Sequence, residues 1–379
     1  MNYNLQYVSP TLREIINPAS KKSHFFKKNL SFRSYSKAFV APYVNWDKSI
    51  GCVLDSKGTV IHDAQCVEWK ENGDYYDIRD AEVKHKTVIF LGFLLAGFGH
   101  AFIDNLRKIW FLRTEEFRTL MKQGAEVVYT TSWNAKLPES VIEVFAMSGV
   151  DIKKARKIEK LIQFDQVIIP DSCVVAKEFG RVYNHDFVRI IDNIKDNCNK
   201  AQEDTLYDKI YFTRTKIKSW RDTGEKRIEH HFRKLGYTII SPEHYPISTQ
   251  IKMMQNCSFF AATEGSVSHL SLFCRPGTKV FIVNKANYLN FHQLLVNEFA
   301  DLDVTYIEAH HSSRSDKAHP WWGPFFLYTT KYCKQFFKRH VISLPYWLLP
   351  DYWYYFIYFS PFAERIKDWV RSRRKGILD

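Results

Sequence analysis

Paired cysteines are missing from this 379-residue chain. Its seven cysteines are odd in number and scattered, and no two stand in a C-x-x-C spacing. That excludes a disulfide framework and a structural zinc site, and it favours a reducing compartment. The opening stretch, MNYNLQYVSPTLREI, lacks the apolar run of a secretory signal. The expected location is the cytoplasm. Sequence repeats are lacking as well.

The middle of the chain also lacks net charge. The chain as a whole carries +13, but residues 51–308 hold 34 basic and 34 acidic residues. The excess sits at the two ends, +6 over residues 1–50 and +7 over 309–379. A groove-binding nucleic-acid protein would spread positive charge over its folded face. Basic ends around a neutral body suit an anionic membrane surface better, so no nucleic-acid partner is expected.

What is present is centred on residues 257–285, CSFFAATEGSVSHLSLFCRPGTKVFIVNK. An apolar run stops at Thr263-Glu264-Gly265, a short helix follows, and a Pro276-Gly277 turn leads to a second apolar run. This is a strand–turn–helix–strand unit of a parallel sheet, whose ligands bind beyond the carboxyl ends of the strands. Gly265 lets a ligand approach the backbone, while Ser266, Ser268 and His269 offer side-chain donors. Phosphate or diphosphate capture is the chemistry that fits.

The same alternation runs along the chain. Residues 1–50 read as irregular, and 51–86 as small strands. Strands are predicted at Thr87–Phe93, Ala125–Thr130, Leu161–Ile169, Lys209–Phe212, Tyr237–Ile240 and Val304–Ile307. Helices are predicted at residues 100–120, with an apolar stripe through Phe102, Leu106 and Ile109, and at 138–147, 225–235 and 248–256. The polar stretch 183–205 reads as helix and connector. Two successive βαβ assemblies are therefore expected, an α/β fold with two Rossmann-like domains facing a cleft. The divisions are 1–205, 206–308 and a tail, 309–379. Between Arg339-His340 and Glu364 the tail has 23 residues with one charge, Asp351, and ten aromatic side chains, divided by Pro345 and Pro350. Such a segment between basic clusters lies in a membrane interface rather than across it.

Two stretches add chemistry to the glycine turn. In GFGHAFIDNLRKIWFL (97–112), His100 and Asp104 are four apart on one helix face, with Arg107 beyond them. In residues 211–278, YFTRTKIKSWRD onwards, Arg214 follows a strand and Arg221 comes seven residues later. That order resembles glycosyltransferase family 61, over roughly residues 87–285. Glu264, Gly265, Ser266 and His269 match the E-G-S-x-x-H turn of its bacterial capsule and lipopolysaccharide branch. The chain departs from the eukaryotic turn, H-G-A-G-x-x-N, with Glu264 at the His and Leu270 at the Asn.

The resemblance implies a GT-B fold, a nucleotide-sugar donor held by the C-terminal domain, inversion at the anomeric carbon and no obligatory metal. No cofactor beyond the nucleotide-sugar substrate is expected. Without a D-x-D carboxylate pair on a suitable loop, the leaving diphosphate needs Arg214, Arg221 and the turn residues Gly265, Ser266, Ser268 and His269. Inversion needs a base for the acceptor hydroxyl. His100 is the candidate, with Asp104 to orient or replace it and Glu264 as the rival. The expected function is transfer of a sugar to a lipid-linked bacterial glycan at the inner face of the cell membrane. The alternative is a non-catalytic nucleotide- or glycan-binding protein of the same fold.

Overall fold

The computed structural model describes residues 2–43, 52–61, 77–131, 134–199, 207–217, 222–310 and 325–338, with Leu348, Leu349 and Trp353. Two sheets organise them. In the second half, strands Lys209–Phe212, Thr238–Ile240, Phe259–Thr263, Lys279–Asn284 and Asp303–Glu308 are all parallel. Numbered one to five in chain order, they lie 2-1-3-4-5 across the sheet. The order reverses between Lys209–Phe212 and Phe259–Thr263, and such a switch point opens a crevice at the strands' carboxyl ends. Arg214 and Gly265 follow those two strands.

A sixth strand was not foreseen. Asn2–Tyr7 pairs in parallel with Asp303–Glu308, beyond the last strand of the second half. The expectation of an irregular residue 1–50 segment is corrected further by helix Pro10–Ser20 and strands Phe32–Ser36 and Phe39–Val40. Burial of Val8, Leu12 and Ile16 in the main core outweighs the lack of a clean period. Side-chain acceptors complete the attachment. The Glu308 carboxylate accepts from Ser9 N at 2.7 Å, and Glu298 accepts from His24 N at 2.7 Å.

In the first half, the long strand Glu82–Leu94 lies between two parallel partners, Glu126–Thr131 and Ile162–Pro170. Strands Phe32–Ser36 and Phe39–Val40 run antiparallel on the outer side of Ile162–Pro170. The two sheets are not independent. One continuous core holds Leu91, Leu94, Phe102 and Leu106 with Ile210, Phe260 and Val280. Phe102 packs edge-to-face on Phe273 at 5.2 Å between ring centroids. Glu143, on helix Glu139–Met147, accepts from the free N–H groups of Ile247 and Ser248 at 3.2 and 3.0 Å. A carboxylate of the first half thus caps helix Ile247–Asn256 of the second.

The predicted helix over 100–120 is replaced by shorter pieces. Phe98–Ala101 is one helical turn, Ile109–Arg113 is a 3₁₀ segment and Glu115–Lys122 is a separate helix. Residues 101–109 are all buried, so there is no solvent face to set a helical period. Asn105 holds the intervening turn by bonding both Leu95 N and Leu95 O, at 2.8 and 2.9 Å.

Past residue 309, Phe325–Phe326 pairs with Asp222–Thr223, and helix Lys331–Phe337 buries Cys333 and Phe337 in the second core. Of the residues predicted as tail, Ala309 and the described stretch 325–338 therefore belong to the folded body. The aromatic stretch beyond lies almost wholly outside the described residues. Among the described residues, no helix is long and apolar enough to cross a membrane. Six described cysteines are free and buried.

Candidate active site

Two groups of polar side chains meet at the glycine turn. Gly265 has φ +131°, a conformation reserved for glycine. Its N–H donates to Ser268 Oγ at 3.2 Å, and the same hydroxyl lies 2.8 Å from Gly265 O and 2.7 Å from Gln293 Oε1. Ser268 therefore closes the turn from inside, fully buried, rather than facing out. Ser266 is exposed. Glu264 is buried beneath, with Oε1 accepting from Asn290 N and Oε2 from Asn284 Nδ2, each at 2.7 Å. Burial pushes its carboxyl up to about 7, against those two donors. Both oxygens are committed to holding the turn on the Asn284–Asn290 loop.

The first-half group sits directly against that turn. A Cβ at Gly99 would lie 2.5 Å from Ser266 Oγ and 3.3 Å from Ser266 Cα, so any larger residue there would push the Ser266 side chain aside. The next residue, His100, has Nδ1 2.6 Å from Asp104 Oδ2, the spacing of four that the sequence suggests. Asp104 is buried, and its other oxygen accepts from Arg181 Nε at 2.9 Å. Burial raises the Asp104 carboxyl. The Arg181 charge and hydrogen bonds from His100 and His292 outweigh this and hold it well below the usual range. Asp104 is thus a fixed anion that orients His100, whose side chain stays one-third exposed.

Arg107 has no part in this pair. It is buried against Gly92, with Nη2 3.9 Å from where a Cβ there would stand. Arg181 takes that role, from the hairpin Val174–Lys177/Gly180–Tyr183. His292 Nε2 lies 3.6 Å from Asp104 Oδ2, and its ring is 6.0 Å from those of His100 and His269. Burial and the neighbouring His292 push His269 down to about 3, so it is a neutral imidazole in the wall. The ligand-type atoms of His100, Asp104 and His292 lie within 4.8 Å of one another, close enough to converge on a cation. Such a cation would have to replace the His100–Asp104 hydrogen bond and sit beside a guanidinium.

On the second-half side, Arg214 Nη1 lies 2.9 Å from Asp222 Oδ2 and Lys285 Nζ lies 3.1 Å from the same oxygen. Lys285 Nζ is also 3.9 Å from the Cβ position of Gly265. Arg221 lies outside the described residues. The sequence's single D-x-D string, Asp301-Leu302-Asp303, opens strand Asp303–Glu308 and so stands at the opposite end of the sheet from the turn. The structure thus joins His100 and Asp104 to the turn bearing Gly265 and Ser266, and sets Arg214 beside it. Ser268, His269 and Glu264 are internal supports.

Arg181, His292, Asp222 and Lys285 were missed. Only Lys285 had a usable signal, a cation directly after the strand Lys279–Asn284, where a parallel sheet delivers side chains to its ligand.

Residues 98–281 match a family model described as Glycosyltransferase 61, a span that includes His100, Asp104, Arg181, Arg214, Asp222 and the glycine turn. Comparison with curated proteins finds no match.

Proposed function

Starting from a glycosyltransferase with a family 61 segment over this turn, we propose an inverting transferase that uses a nucleotide-sugar donor without a metal. One observation carries the reading. Two consecutive residues of a single turn, Gly265 and Ser266, adjoin the Lys285 and Arg214 cations gathered on Asp222 on one side and the Gly99–His100 step on the other. A base from the first half and a cationic site for a leaving group from the second thereby meet at one turn, as displacement at a bound sugar requires. The arrangement supports a GT-B assignment, with the donor on the second sheet and the acceptor on the first.

His100 Nδ1 is committed to Asp104, which leaves Nε2 for the acceptor hydroxyl. That hydroxyl loses its proton to Nε2 as its oxygen attacks the anomeric carbon from the face opposite the diphosphate. The bond from that carbon to the diphosphate breaks, and its electron pair leaves with the nucleoside diphosphate. Arg214 and its neighbours stabilise the departing charge. A lipid-linked bacterial surface glycan as acceptor, and a place at the cytoplasmic face of the membrane, are supported by the basic ends alone.

The test is release of nucleoside diphosphate from a panel of nucleotide-sugars, without acceptor and with EDTA present. Slow release of one diphosphate, undiminished by EDTA, is expected. Binding without release would return the chain to recognition only. Loss of release on chelation, restored by a divalent cation, would make His100, Asp104 and His292 a metal site.

A further inference from the structure

Lys285 has an arrangement around it that the turn alone does not explain. Its ammonium shares one oxygen of Asp222 with Arg214, at 3.1 and 2.9 Å. It also lies over the Phe325 ring at 4.5 Å, a cation–π contact. Asp222 and Phe325 are themselves partners, since Asp222–Thr223 and Phe325–Phe326 pair in parallel. Gly224, at φ +85°, brings that pairing tight, because a Cβ there would lie 1.9 Å from Leu327 O. The Lys285 and Asp222 side chains are 10% and 7% exposed, whereas that of Arg214 is 29% exposed. Two cations on one carboxylate leave a net charge of +1, set beside the Gly265 backbone.

We propose that Lys285 is a donor-binding residue that works with Arg214 as a two-point cationic clamp on the diphosphate, pre-set by Asp222. This rests on the donor reading above. A single buried carboxylate oxygen cannot satisfy three ammonium hydrogens and a guanidinium fork, so both cations keep donors for a second anion. Asp222 fixes their spacing before the ligand arrives, which lowers the ordering cost of binding. The strand Phe325–Phe326 walls the clamp, so the segment after residue 309 contributes to the donor site as well as to the core.

The probe is inorganic pyrophosphate, titrated calorimetrically into the full chain. Wild-type protein is expected to bind it, and Lys285→Met to bind about ten-fold more weakly or worse. The deciding variant is the double change Lys285→Met/Asp222→Asn, which keeps the net charge of the trio at +1 and leaves no buried carboxylate short of a partner. It should fold even if the single variant does not, and it should bind as weakly. Wild-type affinity in the double variant would overturn the proposal, because the ammonium would then serve only to neutralise Asp222. Arg214→Met separates the two layers. If it loses pyrophosphate while the double variant keeps it, the Lys285 inference falls and the donor site stands. If wild-type protein does not bind pyrophosphate at all, the donor reading falls with it.

Discussion

Asp104 divides its two oxygens between partners from different parts of the chain, Arg181 on Oδ1 and His100 on Oδ2. Removing one member of a buried ion pair strands the other, at a cost of about 3–5 kcal/mol. Asp104→Ala is therefore expected to lose stability of that order by chemical denaturation. His100→Ala, at a partly exposed position, should keep its stability and lose transfer. If the two variants unfold alike, Asp104 is not a structural anchor. Glu264 makes an opposite prediction with pH. Its carboxyl is raised from 4.5 to about 7 when folded, so its contribution to stability is full below pH 4.5 and is lost as pH rises through 7. Between pH 5 and 7, wild-type protein should lose stability relative to Glu264→Gln by about 1.4 kcal/mol per pH unit at most. Parallel curves for the two proteins would contradict this. Of these residues, His100 and Asp104 were legible because a spacing of four is local. Arg181 is 77 positions from Asp104, and nothing in the spacing of the sequence pairs them.

The elements were legible where one face meets solvent or where apolar runs are bounded by turns. Lys209–Phe212 was read to the residue, and Phe259–Thr263 and Ile247–Asn256 to within a position or two. The stretch after Gly97 was not, because residues 101–109 are buried on every side and carry Asp104, Asn105, Arg107 and Lys108 inward. Hydrophobic period has no meaning where both faces are interior. Asp104 is offset by Arg181 and Lys108 donates to Pro170 O, while Asn105 fixes the turn that delivers Gly99 to Ser266. Gly99→Ala should force the two apart, lowering kcat/KM about ten-fold or more, since displacements near 1 Å at a reacting centre are costly. Ser266→Gly removes the nearest atoms and should restore part of the loss. Absence of rescue would show that the contact is not the cause.

For the molecule as a whole, the distribution of charge is plain in the sequence, whereas the pairing of the N-terminal strand with the last strand of the second half is not. The reading of basic ends as membrane-facing leads to a truncation whose limit the fold now sets. Helix Lys331–Phe337 packs in the second core, so the cut belongs after Lys338. Removal of residues 340–379 should abolish binding to anionic liposomes and leave the thermal midpoint within a few degrees. Each basic residue lost near such a surface removes about 1 kcal/mol of attraction. A collapse of the thermal transition would instead assign the segment to the core.

The pairing of Asn2–Tyr7 with Asp303–Glu308 also sets a timetable. A ribosome makes the first strand about 300 residues before its partner, an interval on the order of 15–60 s at ordinary elongation rates. Throughout that interval the strand has no neighbour, and Leu12 and Ile16 wait for the core that covers them. A strand made about 300 residues ahead of its neighbour thus stays unpaired until residues 303–308 emerge.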